Sequence, residues 1–234
     1  MSTFVLVPGM WIGAWAWREV TAALRAAGHD VFPLTLTGVA DRAHLAGADL
    51  ETHVADIVGL IEAEDLRDVV LIGHSYGGLP VTVAAERIPD RLARVVYVDS
   101  GPLPAGARQL DQLGDQVVPD GDAVPPRAWD PAADPQLLAG LDERALGLLR
   151  ARATPHPLAS VRAPLPRTGA GIAVPIALIS CAFPVEQVRR MIADGHPWFA
   201  ELAGAELIGG PTGHWPMLSA PAELAAALDG LAQG

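Results

Sequence analysis

Apolar positions recur along the chain in two alternating rhythms. Short unbroken runs appear at 3–7 (TFVLV), 30–34 (DVFPL), 68–73 (DVVLIG), 94–98 (RVVYV), 173–180 (AVPIALIS) and 205–210 (AELIGG). Their length and their content of valine and isoleucine suit buried strands. Between them lie segments with helical spacing: 14–28, 50–65, 75–88, a stretch near 184–203, and 221–232. In the second of these, Val54, Ile57, Val58 and Ile61 share one face. Pro80 falls in the first turn of its helix, where a missing N–H is tolerated. The alternation predicts an α/β fold with a mostly parallel sheet flanked by helices. No internal repeat is present.

The rhythm breaks between 101 and 172, which holds eleven prolines. One stretch inside it, 134–153, has helical character. The expected organisation is a core of residues 1–100 and 173–234 carrying an inserted, proline-rich helical cap at 101–172. A linker between two domains is the weaker alternative, because neither flank alone has enough strands to bury a sheet.

Composition narrows the chemistry. The 234 residues suffice for one α/β domain, and half of them are apolar. A net charge of −11 disfavours nucleic acid and anionic membranes as partners. All sixteen basic residues are arginine, so Schiff-base and lysine general-base mechanisms are excluded. The single cysteine, Cys181, allows no internal disulfide and no cysteine-based metal cluster. No metal or cofactor is expected. No apolar run approaches the roughly 18 residues of a membrane span, and MSTFVLVPG lacks a basic n-region. A cytoplasmic location is the resulting expectation, with a small molecule as the partner. The oligomeric state stays open, a homodimer included.

Gly73-His74-Ser75-Tyr76-Gly77 matches G-x-S-x-G, with an apolar strand before it and a helix after it. That setting is what a nucleophile elbow requires, whereas the bare motif also fits an ordinary serine turn. A serine nucleophile needs a base, and seven histidines compete. His214 lies in IGGPTGHWPMLSAPAEL, a loop between the last strand and the last helix. Sites in open α/β sheets sit beyond the carboxyl ends of strands, which favours it over a merely solvated loop histidine. His74 is expected to pack or to support the elbow. His156 could reach the site from the cap, His29 and His196 look like surface positions, and His44 and His53 flank or lie on a helix.

The stretches FVLVPGMWIGAWAW, TLTGVADRAHL, HVADIVGLIE, VVLIGHSYGG, RVVYVDSGPLP and TGHWPMLSAP resemble the α/β-hydrolase superfamily over essentially the whole chain. More narrowly, they resemble small bacterial esterases related to plant methylesterases and hydroxynitrile lyases. The resemblance implies an oxyanion hole made by the backbone N–H groups of Met10 and Tyr76. Pro8 stands where the family usually has histidine; it lacks an N–H and fixes φ, but the implied donor is two residues on. The lyase branch uses a lysine and a threonine in the first loop; this chain has no lysine, and Gly9 occupies the matching position.

Most relatives carry the catalytic aspartate after the strand corresponding to 174–180. Here that loop, ISCAFPVEQVRRM, has no aspartate, and its first carboxylate is Glu186. Asp99 ends the strand RVVYV and preserves the chain order serine, acid, histidine. The alternatives are Glu186, or no effective acid with Asp99 as a turn residue. The resulting expectation is a carboxylesterase or lactonase with Ser75, His214 and Asp99 as its triad. Trp11, Trp129, Phe183 and Trp215 are candidate walls for a bulky apolar or aromatic substrate, although tryptophans also fill cores. A non-hydrolytic cyclase or dehydratase on the same scaffold, or a ligand-binding protein with a residual triad, are the competing function classes.

Overall fold

A computed structural model describes residues 1–113 and 118–233. Strands β1 (Thr3–Val7), β2 (Asp30–Pro33), β3 (Val69–His74) and β4 (Leu92–Val98) alternate with helices α1 (Arg18–Ala26), α2 (Leu50–Ala63) and α3 (Gly78–Arg87). After β4 come α4 (Leu110–Leu113), β5 (Ala123–Val124), α5 (Glu143–Arg152), β6 (His156–Pro157) and α6 (Leu158–Arg162). The alternation resumes with β7 (Ile176–Ser180), α7 (Val185–Ala193), β8 (Glu206–Gly209), α8 (Pro216–Ser219) and α9 (Pro221–Leu231). Six strands form one sheet in the order β2-β1-β3-β4-β7-β8, and every pairing in it is parallel.

The expected mostly parallel sheet flanked by helices is therefore present. Its central strands are apolar on both faces because helices cover both. Phe4–Val7, Leu71–Ile72 and Val95–Val98 are fully buried. Helix α1 packs on α9, and α2 packs on α3. The order reverses between β1 and β3, so the loops leaving these two strands diverge and open a crevice at their carboxyl ends. Register aligns those ends: Val7 pairs with Gly73, His74 with Val98, and Val98 with Ile179.

Strands β4 and β7 are direct neighbours, so the chain between them is inserted between two adjacent strands of the sheet. Its apolar side chains, among them Leu103, Val124, Leu146 and Leu165, join the same continuous core as the sheet. Hydrogen bonds also tie it to the site loops: Trp11 Nε1 donates to the Val124 carbonyl (3.1 Å), and the N–H of His214 donates to the Leu137 carbonyl (3.2 Å).

One helix is shorter than its pattern suggests. Of 134–153, only Glu143–Arg152 is helical, and the preceding residues form successive turns. Gly140 adopts a left-handed φ of 80°, and a Cβ there would sit 2.9 Å from Thr212 Cβ. Close packing against the His214 loop thus ends the turns, and Asp142 restarts the chain by capping α5 through the Ala145 N–H (2.8 Å). Likewise, the stretch near 184–203 is helical only over α7. It stops at Gly195, which has φ 68°.

Candidate active site

Three residues just past the first strands hold side chains in the left-handed region: Trp11 (φ 68°), Ser75 (φ 50°) and Asp99 (φ 46°). Such backbone strain persists only where the surroundings over-determine it. At Ser75 the cause is visible. The chain turns from β3 into α3 with so little room that a Cβ on Gly77 would lie 2.6 Å from the Pro8 carbonyl oxygen. A Cβ on Gly73 would lie 2.8 Å from the Gly77 carbonyl oxygen. The glycines of G-x-S-x-G are therefore steric requirements of this turn.

The turn lifts the Ser75 hydroxyl towards His214, and Ser75 Oγ lies 3.0 Å from His214 Nε2. On the other side of the ring, Nδ1 lies 2.5 Å from Asp99 Oδ2. An ionised carboxylate can only accept, so Nδ1 carries the proton and Nε2 is left to accept from the serine. Asp99 Oδ1 accepts two further bonds, from the N–H of Cys181 (2.9 Å) and of Ala182 (2.8 Å). Burial alone would raise this carboxyl. The hydrogen bond and charge of His214, with the two N–H donors, outweigh burial and hold it below the ordinary aspartate range. Asp99 is thus an anion fixed in place by two backbone donors and one imidazole.

Neighbours secure the frame. Ser100 Oγ donates to the Ser75 carbonyl (2.6 Å). His74 lies at 0% exposure and donates Nε2–H to the His214 carbonyl (2.7 Å). Burial, then the neighbouring His214, pushes His74 down to about 3, so it stays neutral and uses its single N–H to hold the loop. Tyr76 sends its buried ring the opposite way. Its hydroxyl donates to His53 Nδ1 (2.7 Å), and His53 Nε2–H donates to the Thr37 carbonyl (2.8 Å). The Thr37 N–H is in turn held by Asp56 (2.7 Å). This chain of bonds anchors the residue next to the serine.

Above these groups opens a cavity of about 500 Å³. Met10, Trp11, Leu79, Leu103, Phe183 and Trp215 supply much of its apolar wall. The sequence matches the alpha/beta hydrolase family over residues 4–227, in keeping with the strand–elbow–helix serine and the parallel sheet. The chain belongs to the alpha/beta hydrolase family.

A carbendazim hydrolyzing esterase from Nocardioides sp. (strain SG-4G) is 36% identical over 255 residues, covering 99% of this chain and 100% of that protein. Esterase PIR7B from Oryza sativa subsp. japonica is 43% identical over 102 residues, which is 41% of this chain and 37% of the esterase. Among solved structures, an extracellular alpha/beta-hydrolase from a Paenibacillus species superposes with a TM-score of 0.81 at 20% identity, covering 97% of this chain and 98% of that one. At that identity the likeness concerns the fold alone. Among the described residues, no helix is long and apolar enough to cross a membrane.

Within this hydrolase, Trp11, Phe183 and Trp215 border the cavity, and Trp129 does not. Trp129 is buried one layer back, edge-on to Trp11 (5.8 Å between centroids) and to Trp215 (5.1 Å). It supports the wall instead of forming it. Glu186 does not approach His214; its side chain is 71% exposed and faces Arg189. His156 is buried against Tyr76 and pairs with Ser160 (3.0 Å), away from the cavity. His29 is buried too, not superficial, and bonds Asp229 (2.9 Å). His196 is exposed, as expected, and also borders the cavity's edge with Trp198 and Phe199. Sequence reasoning missed the Cys181 and Ala182 donors, since a backbone N–H leaves no trace in residue identity. It also missed the bond from His53 to Tyr76, although His53 adjoins the apolar face of α2.

Proposed function

We propose that this hydrolase is a serine esterase, cleaving a carboxylic ester or lactone of a bulky apolar or aromatic small molecule through an acyl-enzyme. The observation that carries this is the unbroken line of hydrogen bonds Ser75–His214–Asp99 at the floor of an apolar cavity. Ser75 Oγ attacks the ester carbonyl while its proton passes to His214 Nε2. Asp99 holds the ring in the Nδ1–H tautomer and stabilises the imidazolium. The negative oxygen of the tetrahedral intermediate is received by the N–H groups of Met10 and Tyr76. Neither group donates a hydrogen bond among the described residues. Such donors typically lower the barrier by several kcal/mol. The C–O bond to the alcohol breaks as His214 returns the proton to the leaving oxygen. Water, deprotonated by the same histidine, then releases the acid and regenerates Ser75.

The cavity walls support an apolar or aromatic substrate, and its size suits a small molecule. The full-length relative is an esterase, which is consistent with ester chemistry. A fluorophosphonate probe tests the nucleophile. Covalent labelling that disappears in Ser75→Ala, together with turnover on a panel of aryl esters and lactones, is the expected result. Folded wild-type protein that neither labels nor turns over any ester would exclude the assignment.

A further inference from the structure

His156 is fully buried and lies outside the lining of the Ser75 cavity, yet it packs against the residue that follows the nucleophile. Its ring meets the Tyr76 ring edge-on, with centroids 4.6 Å apart. His53 completes the cluster, 5.6 Å from Tyr76 and 5.7 Å from His156. Burial, then the neighbouring His53, holds His156 well below the ordinary histidine value, so the ring carries one proton. Ser160 Oγ donates to the Pro157 carbonyl (2.8 Å), so it accepts from His156 Nε2–H (3.0 Å). Nδ1 is then a bare acceptor, without a partner among the described residues. A buried acceptor left unmatched is costly, and such a group calls for a cause. The ring contact with Tyr76 supplies one.

The same segment also holds the first loop. Trp11 directly follows Met10 and has a left-handed φ of 68°. Strain of this kind persists only where it is fixed from outside. The insertion fixes Trp11 twice. Trp11 Nε1–H donates to the Val124 carbonyl (3.1 Å), and the Trp11 carbonyl accepts from the Thr154 N–H (3.0 Å). Thr154 lies two residues before His156, and Val124 pairs with His156 in the antiparallel β5–β6 ladder. One short ladder therefore grips both sides: β5 holds the residue after Met10, and β6 packs on Tyr76. Val124 and His156 are both at 0% exposure, so the ladder is embedded in the core.

We propose that the β5–β6 ladder braces the oxyanion hole, with His156 and Trp11 as positioning residues for the N–H groups of Tyr76 and Met10. This rests on the esterase reading and its two donors, and it gives the inserted segment a task in the chemical step. The negative oxygen forms only as Ser75 adds to the carbonyl, so a displaced donor weakens the transition state more than the bound ester. The loss should fall on kcat and leave KM in place.

The test measures hydrolysis of an aryl ester, with active sites counted by fluorophosphonate titration of Ser75, so that only folded molecules enter the rate. His156→Ala is expected to lower kcat by about ten- to a hundred-fold, with KM changed by less than about two-fold. The Ki of an aryl trifluoromethyl ketone should rise by the same factor. With that inhibitor Ser75 Oγ bonds to the carbonyl carbon, its proton passes to His214, and the carbonyl oxygen becomes an anion in the hole. His156→Leu, nearer to histidine in size, should give the same pattern and replaces the alanine variant if that one does not fold. His156→Phe keeps a flat ring against Tyr76 and should stay within about three-fold of wild type. Trp11→Phe removes the N–H from Val124. Combined with His156→Leu, it should cost less in kcat than the product of the two single losses, because one ladder carries both. Unchanged kcat and Ki in the alanine and leucine variants, a loss confined to KM, an equal loss in the phenylalanine and leucine variants, or single losses that simply multiply would each overturn the brace. Wild-type labelling and turnover would leave the esterase standing in every one of those cases. Wild-type protein with neither labelling nor turnover would overturn the esterase, and the brace with it.

Discussion

Strands β4 and β7 end side by side, joined through Val98 and Ile179, yet the two ends contribute opposite things to His214. The end of β4 supplies a side chain, the Asp99 carboxylate. The loop after β7 supplies only backbone, the N–H groups of Cys181 and Ala182, both directed at that carboxylate. Neighbouring strands lie about 4.8 Å apart, so an acid rooted on either can reach a histidine beyond their ends. What the histidine requires is a carboxylate at its Nδ1, and the address of that carboxylate along the chain is secondary. The loop without the aspartate still shapes this region, because its two N–H groups hold the Asp99 carboxylate beside His214.

The contrast between the two strand ends can be broken or sharpened by substitution. Ser75→Ala should abolish ester turnover by about 10⁴-fold or more, with circular dichroism unchanged, since the lost hydroxyl supports no fold contact beyond His214. Asp99→Asn should lower kcat by about 10³–10⁴-fold, because an amide can donate to the imidazole and favour the wrong tautomer. In the same assay Glu186→Gln should change activity by less than about two-fold, its ion pair with Arg189 being exposed. Equal effects at the two carboxylates would erase the distinction between β4 and β7.

A smaller effect is expected where the elbow is anchored from behind. Tyr76→Phe removes the hydroxyl from His53 Nδ1 and leaves that buried nitrogen unmatched. A stability loss of about 1–3 kcal/mol in chemical denaturation is the expected outcome. The smallest effect concerns acid. The Asp99 carboxyl is held below its ordinary value, about 3.9 in an unfolded chain. Its stabilising contribution is therefore complete above that value and is lost as pH falls through the lower, folded value. The stability difference between wild type and Asp99→Asn should shrink as pH falls across that acid window. A difference that grew on acidification would reverse the sign of the assigned interaction.

Much of the sheet was legible because its strands are short apolar runs set between amphipathic helices, and each such period reports burial directly. Ser75 was legible because a steric requirement, two glycines around a tight turn, leaves a written motif. The turns at 131–141 were not. Leu137, Leu138 and Leu141 carry a helical rhythm, but Gly140 must approach Thr212, a contact far away in sequence. Trp129 shows the same limit: its identity announced an apolar wall, whereas packing against Trp11 and Trp215 set it one layer behind that wall.

Residue order alone determined the α/β alternation, the strained serine turn, the absence of lysine chemistry, and a short roster of carboxylates and histidines. Tertiary structure decided which of them meet. It brought His214 across 139 residues to Ser75 and across 115 to Asp99, and it turned two backbone N–H groups towards the acid. The physical reason is one of range. Periodicity and turn sterics act within a few residues and leave their mark locally, whereas hydrogen bonds between strand ends depend on register and sheet order, which no single segment contains.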